Sequence, residues 1–282
     1  MVAQEDWAGM DARQRHECEV RGRLLVLHPG WVAARRSAAL LYDLPFLGSP
    51  PPRPQLLRDP RGAGRSSSRH ERLATLVKLD TAYQRGILLT SRERTVVDLA
   101  REESFRSAVV VADAAVRQGV ARGSLQSVAR RCAGWPGGLQ AVAVAGFADG
   151  RSESPLESVS RVALHEGGVP PPELQVEIYL GAVLLARVDK LWRHANLVGE
   201  DDGRSKYSTV ADLYAEKLRE ELLESVGLHV VRWDWATAWH PDGRLVARVQ
   251  RGLELGRHSV LDPRVRFVTA TAAGSGALAA RA

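Results

Sequence analysis

The pattern of apolar and polar positions changes character near the middle of the chain. Up to about residue 150 the apolar residues recur mostly three and four apart, as in TVVDLARE, SFRSAVVVADAAVRQG, SLQSVARRCAG and GLQAVAVAGFAD, which predicts a series of helices. Thr90 stands three residues before Glu93 at the head of this series, the spacing of a capping box, and Gly134 follows the third helix as a stop. Ahead of the series, residues 1–35 read as a helix followed by a β-rich stretch, Arg21 to Val32, with a Pro-Gly turn inside it. Residues 33–43 have helical spacing, and Arg72 to about Lys78 reads as a short strand. Beyond residue 150 the period shortens. SPLESVSRVALHEGG is a helix with Pro155 in its first turn and Gly167-Gly168 as its stop. LQVEIYL then alternates as a half-buried strand does, and VLLARVDKLW and LVGE follow as two more strands across Gly181-Ala182 and RHAN. A long helix from about Ser208 to Val226, the strand LHVVRWDW and a helix near Gly243–Leu255 complete the pattern. No internal repeat interrupts it.

This order predicts an α/β protein with a mixed sheet in its second half, preceded by a mainly α-helical region. The divisions it suggests are 1–35, 36–150, 151–256 and a small-residue tail, 257–282, expected to be partly disordered. Within the first half, Leu47 to Arg69 is rich in Pro, Gly, Ser and Arg and reads as a mobile loop. It carries Arg53, Arg58, Arg61, Arg65 and Arg69, either a solvated loop or an arm that contacts phosphate.

Composition narrows the classes. The 282 residues are 45% hydrophobic and 26% charged, and no apolar run reaches the length of a membrane-spanning helix. The first twenty residues are too acidic and polar for a secretory signal. The two cysteines, Cys18 and Cys132, have neither disulfide-framework nor metal-type spacing, so a reduced cytoplasmic setting is expected. The net charge of +6 is uneven: residues 1–150 carry 22 Lys/Arg against 15 Asp/Glu, and residues 151–282 carry 17 against 18. A basic half attracts polyphosphate, although an Arg-rich composition alone gives the same excess.

The candidate chemistry lies in the acidic half. Asp189 interrupts an otherwise largely apolar strand, and burying a lone carboxylate demands a partner or a cation. A hairpin through RHAN would bring Asp189 beside Glu200, where LVGEDDG places three acids in a row, Glu200, Asp201 and Asp202. Two hard oxygen ligands with water and a substrate phosphate suit Mg²⁺, or Mn²⁺ in its place. Each residue also has a plainer reading. Glu157 completes a capping box with Ser154. Asp189 protects a sheet edge, Asp202-Gly203 makes a turn, and Lys217 pairs with Glu221 one helical turn on.

The runs SPLES, RVDKLW, LVGEDDG and EKLREELLESVGLHVVRW, with RRSAALLYDLP and LLTSRERTVVDLAR in the first half, resemble the actinobacterial branch of the very-short-patch-repair-type endonuclease superfamily. That resemblance implies a PD-(D/E)xK, restriction-endonuclease-like domain over 151–256, with a winged-helix remnant at 1–35. Relatives of this branch include abortive-infection (AbiEi-like) antitoxins and regulators. Carried over, Glu157 matches the helical acid before the sheet, Asp189 the metal-binding Asp, and Glu200 the first member of the E-x-K element. Asp202 stands where that element has its lysine. Lys206 and Lys217 are the candidates to replace it, Lys217 favoured because a packed helix holds it. Lys190 and Asp201 also depart from the branch, which has apolar residues there. Two functions follow as expectations: a Mg²⁺-dependent DNA endonuclease, or a non-catalytic DNA-binding regulator or antitoxin acting with a partner toxin.

Overall fold

A computed structural model describes residues 4–27, 30–59, 71–203 and 210–269. The chain divides into two compact units, Met1–Gly150 and Arg151–Ala282.

In the first unit α1 (Gln4–Gly9), α2 (Ala12–Val26), β1 (Trp31–Ala33) and α3 (Arg35–Leu41) precede β2 (Leu56–Arg58), β3 (Glu71–Leu73), β4 (Thr81–Gln84) and β5 (Ile87–Thr90). Four helices follow, α4 (Arg92–Glu102), α5 (Phe105–Arg117), α6 (Arg122–Arg131) and α7 (Gly138–Phe147). The β-rich reading of Arg21 to Val32 is corrected at its start. Asp11 caps a helix that buries His16 and Val20 one turn apart, and residues 21–26 continue that helix. Only Trp31–Ala33 is strand, the middle of a sheet ordered β3-β2-β1-β5-β4. The capping reading at Thr90 shifts by one residue. Ser91 accepts the Arg94 N–H at 3.2 Å, while Thr90 ends β5 and shares a hydroxyl–hydroxyl bond with Thr95 at 2.7 Å. Behind this cap lies a buried charge network. Arg94 donates to Asp98 at 2.9 Å, to Asp80 at 3.3 Å and to the Thr75 carbonyl at 2.9 Å. Arg101 donates to the other oxygen of Asp98 at 3.1 Å, and the Trp135 ring lies 4.7 Å from the Arg94 guanidinium and 4.9 Å from that of Arg101.

The second unit runs α8 (Pro155–Glu166), β6 (Glu173–Leu180), β7 (Val183–Trp192), β8 (Leu197–Asp202), α9 (Val210–Ser225), β9 (His229–Asp234), α10 (Trp235–Trp239), α11 (Arg244–Arg257) and β10 (Val265–Thr269). Its sheet has the order β10-β6-β7-β8-β9, antiparallel except for the β8–β9 pair. The β6–β7 and β7–β8 pairs follow from short turns, the parallel β8–β9 pair from the crossover helix α9, and β10 returns after α11 to add antiparallel to β6. Alternation aims Val176, Ile178, Val188 and Val198 into one apolar cluster with Leu223 and Val226 of α9. Three features differ from the sequence pattern. β8 extends two residues past Glu200, Trp235 begins a helix instead of ending a strand, and β10 forms inside the stretch read as tail.

Gly199 sets the fit at the centre of β8. A Cβ there would lie 2.5 Å from Trp233 and 2.9 Å from Trp192, so the two buried indoles close over a position that admits no side chain. The residue after it is Glu200.

Candidate functional site

The site forms where β7 and β8 part. Their last paired positions are Lys190 and Gly199; one step further, the Asp189 carboxylate accepts the backbone N–H of Asp201 at 2.9 Å through Oδ2. A side chain there takes over a bond that backbone would otherwise make. On its other flank Asp189 lies level with Gln175, between the β6–β7 pairs Leu174–Lys190 and Val176–Val188. Gln175 has φ +53° in the middle of a strand, a left-handed conformation that costs an L-residue about 1–3 kcal/mol. Its amide Nε2 donates to Asp189 Oδ1 at 3.3 Å and to Glu157 Oε2 at 2.9 Å.

Glu157 arrives from the first turn of α8. Ser154 caps that helix, accepting the Glu157 N–H at 3.1 Å, and Pro155 occupies the turn where no N–H is required. The reciprocal half of the capping box is displaced: Glu157 Oε2 takes the N–H of Glu153 at 2.8 Å, not that of Ser154. Burial first, and the Asp189 carboxylate second, push the Glu157 carboxyl above its ordinary range; Lys190 and the Glu153 N–H pull it partly back. Among the described residues no Lys, Arg or His lies within ion-pair distance of Glu157 or Asp189. Two acids therefore share one neutral amide.

The neighbouring acids are engaged otherwise. Asp201 is buried and receives Ser160 Oγ at 2.6 Å, Trp233 Nε1 at 2.7 Å and the ammonium of Lys190, itself fully buried. In this arrangement Asp201 neutralises Lys190. Glu200 is buried and pairs with Arg219 of α9 at 3.5 Å, and Asp202 meets Arg232 at 3.3 Å, which also holds Glu220 at 2.7 Å. The structure thus brings Glu157 and Asp189 together through Gln175, and turns Glu200 and Asp202 to arginines. Lys217 is 76% exposed and lies 3.9 Å from Glu221, the surface pair that the sequence offered as its plainer reading. Lys206 lies outside the described residues, as do Arg61, Arg65 and Arg69. Arg53 is exposed in the loop before β2, and Arg58 is half-buried at the end of that strand.

Gln175 is the residue that sequence reasoning missed. It occupies an ordinary polar slot in the alternation of LQVEIYL, so nothing in the pattern marked it.

As a metal centre the cluster offers two hard carboxylates. No group of three or more His, Cys, Asp or Glu side chains assembles among the described residues. A Mg²⁺ ion that keeps several waters needs only one or two carboxylates beside substrate phosphate, and an acid pair without a cationic partner, Glu157 buried and Asp189 half-buried, suits it.

No family model matches the chain, and no solved structure matches it. Two proteins of Mycobacterium tuberculosis are similar: "Uncharacterized protein MT2308" of strain CDC 1551 / Oshkosh and "Uncharacterized protein Rv2248" of strain ATCC 25618 / H37Rv. Each is 31% identical over 173 residues, which is 61% of this chain and 64% of the relative's own length.

Proposed function

We propose that the second unit is a Mg²⁺-dependent phosphodiesterase with a restriction-endonuclease-like fold, cleaving DNA in the manner of a very-short-patch-repair-type endonuclease. The observation that carries this reading is the pairing of Glu157 with Asp189 through the strained Gln175, with no cation to balance them among the described residues. Asp189 and Glu157 would hold the ion, which would neutralise charge on a phosphate oxygen and lower the pKa of a bound water. The Asp201 N–H fixes Asp189 so that its carboxylate keeps one orientation. Burial and the neighbouring Asp189 raise the Glu157 carboxyl above its ordinary range, so a bound cation would favour its ionised form. The basic first unit, with Arg53, Arg58, Arg61, Arg65 and Arg69, would supply contacts to the DNA backbone.

A second reading, a non-catalytic DNA-binding regulator or antitoxin working with a partner toxin, draws on one specific feature. Lys190 is sequestered by Asp201 and Lys217 is paired at the surface, so neither fills the place of the E-x-K lysine.

Nicking of supercoiled plasmid in Mg²⁺ or Mn²⁺ separates the two. Asp189→Ala should lower the rate by about 10²-fold or more, and Glu157→Ala by about 10²–10⁴-fold, the range of a lost acid–base group. Equal background nicking by wild type and both variants overturns the enzyme reading.

A further inference from the structure

The remaining feature of the second unit with a clear chemical preference is a pair of tryptophans on α10, a helix that packs against α8. Trp235 and Trp239 stand one turn apart on α10, 38% and 44% exposed, their rings stacked at 6.0 Å between centroids and 11° between planes. Large aromatic surface is normally withdrawn from water, and the buried indoles of Trp192 and Trp233 in the same unit show that this fold does so elsewhere. The position of the exposed pair is fixed by the sheet. Asp234 ends β9 opposite Asp202 of β8, and it caps α10 by accepting the Thr237 N–H at 2.9 Å. Trp235 therefore follows directly from the rung that closes the row of acids. Helix α10 also packs against α8, the helix that carries Glu157.

Charge lies next to the aromatics. On α11, which packs against α10, Arg244, Arg248 and Arg251 recur four and three apart and are all exposed, forming one stripe. Arg244 is held by Asp242, but Arg248 donates only to the Arg232 carbonyl, and Arg251 meets no carboxylate among the described residues. The Arg232 backbone in turn pairs with Glu200. Stacked indoles flanked by arginines whose charge is not neutralised match a polyanion that also presents flat rings. Single-stranded nucleic acid has both, its bases stacking on aromatic side chains and its phosphates following a basic stripe. An apolar protein partner would have no use for the arginines, and an intact duplex keeps its base faces covered.

We infer that Trp235 and Trp239, with Arg248 and Arg251, form a stacking platform for an unpaired stretch of nucleic acid leading to Glu157 and Asp189. This deepens the phosphodiesterase reading by naming the strand state of the substrate and rests on it only for the word substrate; the binding itself is independent of turnover.

The test is binding of fluorescein-labelled oligothymidylate in EDTA, followed by anisotropy and by quenching of intrinsic tryptophan fluorescence. Wild type should bind with quenching. Trp235→Ala/Trp239→Ala should weaken binding by about ten- to a hundredfold, the scale of one or two lost base stacks, whereas the Phe/Phe variant should retain most of it. Arg251→Glu, an exposed change that leaves packing intact, should also weaken binding and flatten its salt dependence. Unquenched binding, or equal affinity of the wild-type, Ala/Ala and Arg251→Glu proteins, overturns the inference. If the Ala/Ala protein does not fold by circular dichroism, the quenching and Arg251→Glu results decide it. Asp189→Asn separates the two claims. Trp-dependent binding without Asp189-dependent cleavage leaves the platform and removes the phosphodiesterase, and Asp189-dependent cleavage with Trp-independent binding does the reverse.

Discussion

Each unit buries a cluster of charged side chains beneath a helix N-terminus, and the two clusters are built on opposite principles. In the first unit Arg94 reaches Asp98, Asp80 and a backbone carbonyl, Arg101 covers the second oxygen of Asp98, and an indole lies against both guanidinium groups. Cations and acids answer each other there. In the second unit Glu157 and Asp189 converge on a neutral amide held in a left-handed backbone, while the nearest buried cation, Lys190, is spent on Asp201. Desolvation makes an unmatched acid pair unfavourable for folding alone. A network whose charges are matched is framework. A pair of acids that is hydrogen-bonded but has no opposite charge is a site that suits a positive ion.

The largest expected effects come from breaking the charge-matched networks. Arg94→Leu leaves Asp98 and Asp80 buried with fewer donors and should cost about 3–5 kcal/mol in urea denaturation of the whole chain. Lys190→Met should cost a similar amount, because it removes one partner of a buried ion pair and leaves Asp201 with only Ser160 and Trp233. Adding Asp201→Leu should recover only part of that loss, since the Trp233 N–H then lacks its acceptor, while the Ser160 hydroxyl keeps the Glu157 carbonyl at 3.1 Å. Losses below about 1 kcal/mol for Arg94→Leu would mean that water, not protein, solvates Asp98.

Glu157→Gln should move stability the other way, and only above a certain pH. The Glu157 carboxyl titrates higher in the folded protein than its ordinary 4.5. Below that ordinary value it is protonated in folded and unfolded chains alike, and no penalty arises. As pH rises through the folded-state value, the acid must ionise against burial and against Asp189, so the fold loses stability that it had at low pH. Gln cannot ionise and can still accept from Glu153 and Gln175. The melting temperature of Glu157→Gln should therefore match wild type near pH 4 and exceed it at pH 8, and Mg²⁺ at pH 8 should narrow the gap by stabilising wild type alone. A variant less stable than wild type at pH 8 would place Glu157 among structural acids like Asp98.

How far this contrast could be read from the sequence depends on the range of the interactions involved. The strands β6, β7 and β8 and the helix α8 were legible, because alternation, a Pro in the first turn and Gly stops are local signals. Asp189 and Glu157 were legible as acids in improbable places. Their link was not, because Gln175 looks like any outward polar residue and nothing in LQVEIYL marks its φ of +53°. Asp201 looked like part of an acid row, yet alternation along β8 turns it away from Glu200 toward Lys190. Trp235 continued an apparent strand pattern in RWDW, and only the Asp234 cap shows that the helix begins there. Partners that are set by tertiary packing leave no periodic trace.

The smallest expected effect is also the most direct test of where the missing positive charge comes from. Lys217 is 76% exposed and makes only a long ion pair with Glu221 one turn on, an arrangement that contributes about 0.3–0.5 kcal/mol on a helix surface. Lys217→Ala loses that contribution and gains about as much from the better helix propensity of Ala, so urea midpoints should agree within error. If plasmid nicking is unchanged as well, the acid pair is not served by this helix, and the charge opposite Glu157 and Asp189 comes from a bound cation or from Lys206. A fall in nicking without a fall in stability would give the opposite result: α9 would swing Lys217 toward the acids during turnover, and the charge-matched and unmatched clusters would differ only until substrate binds.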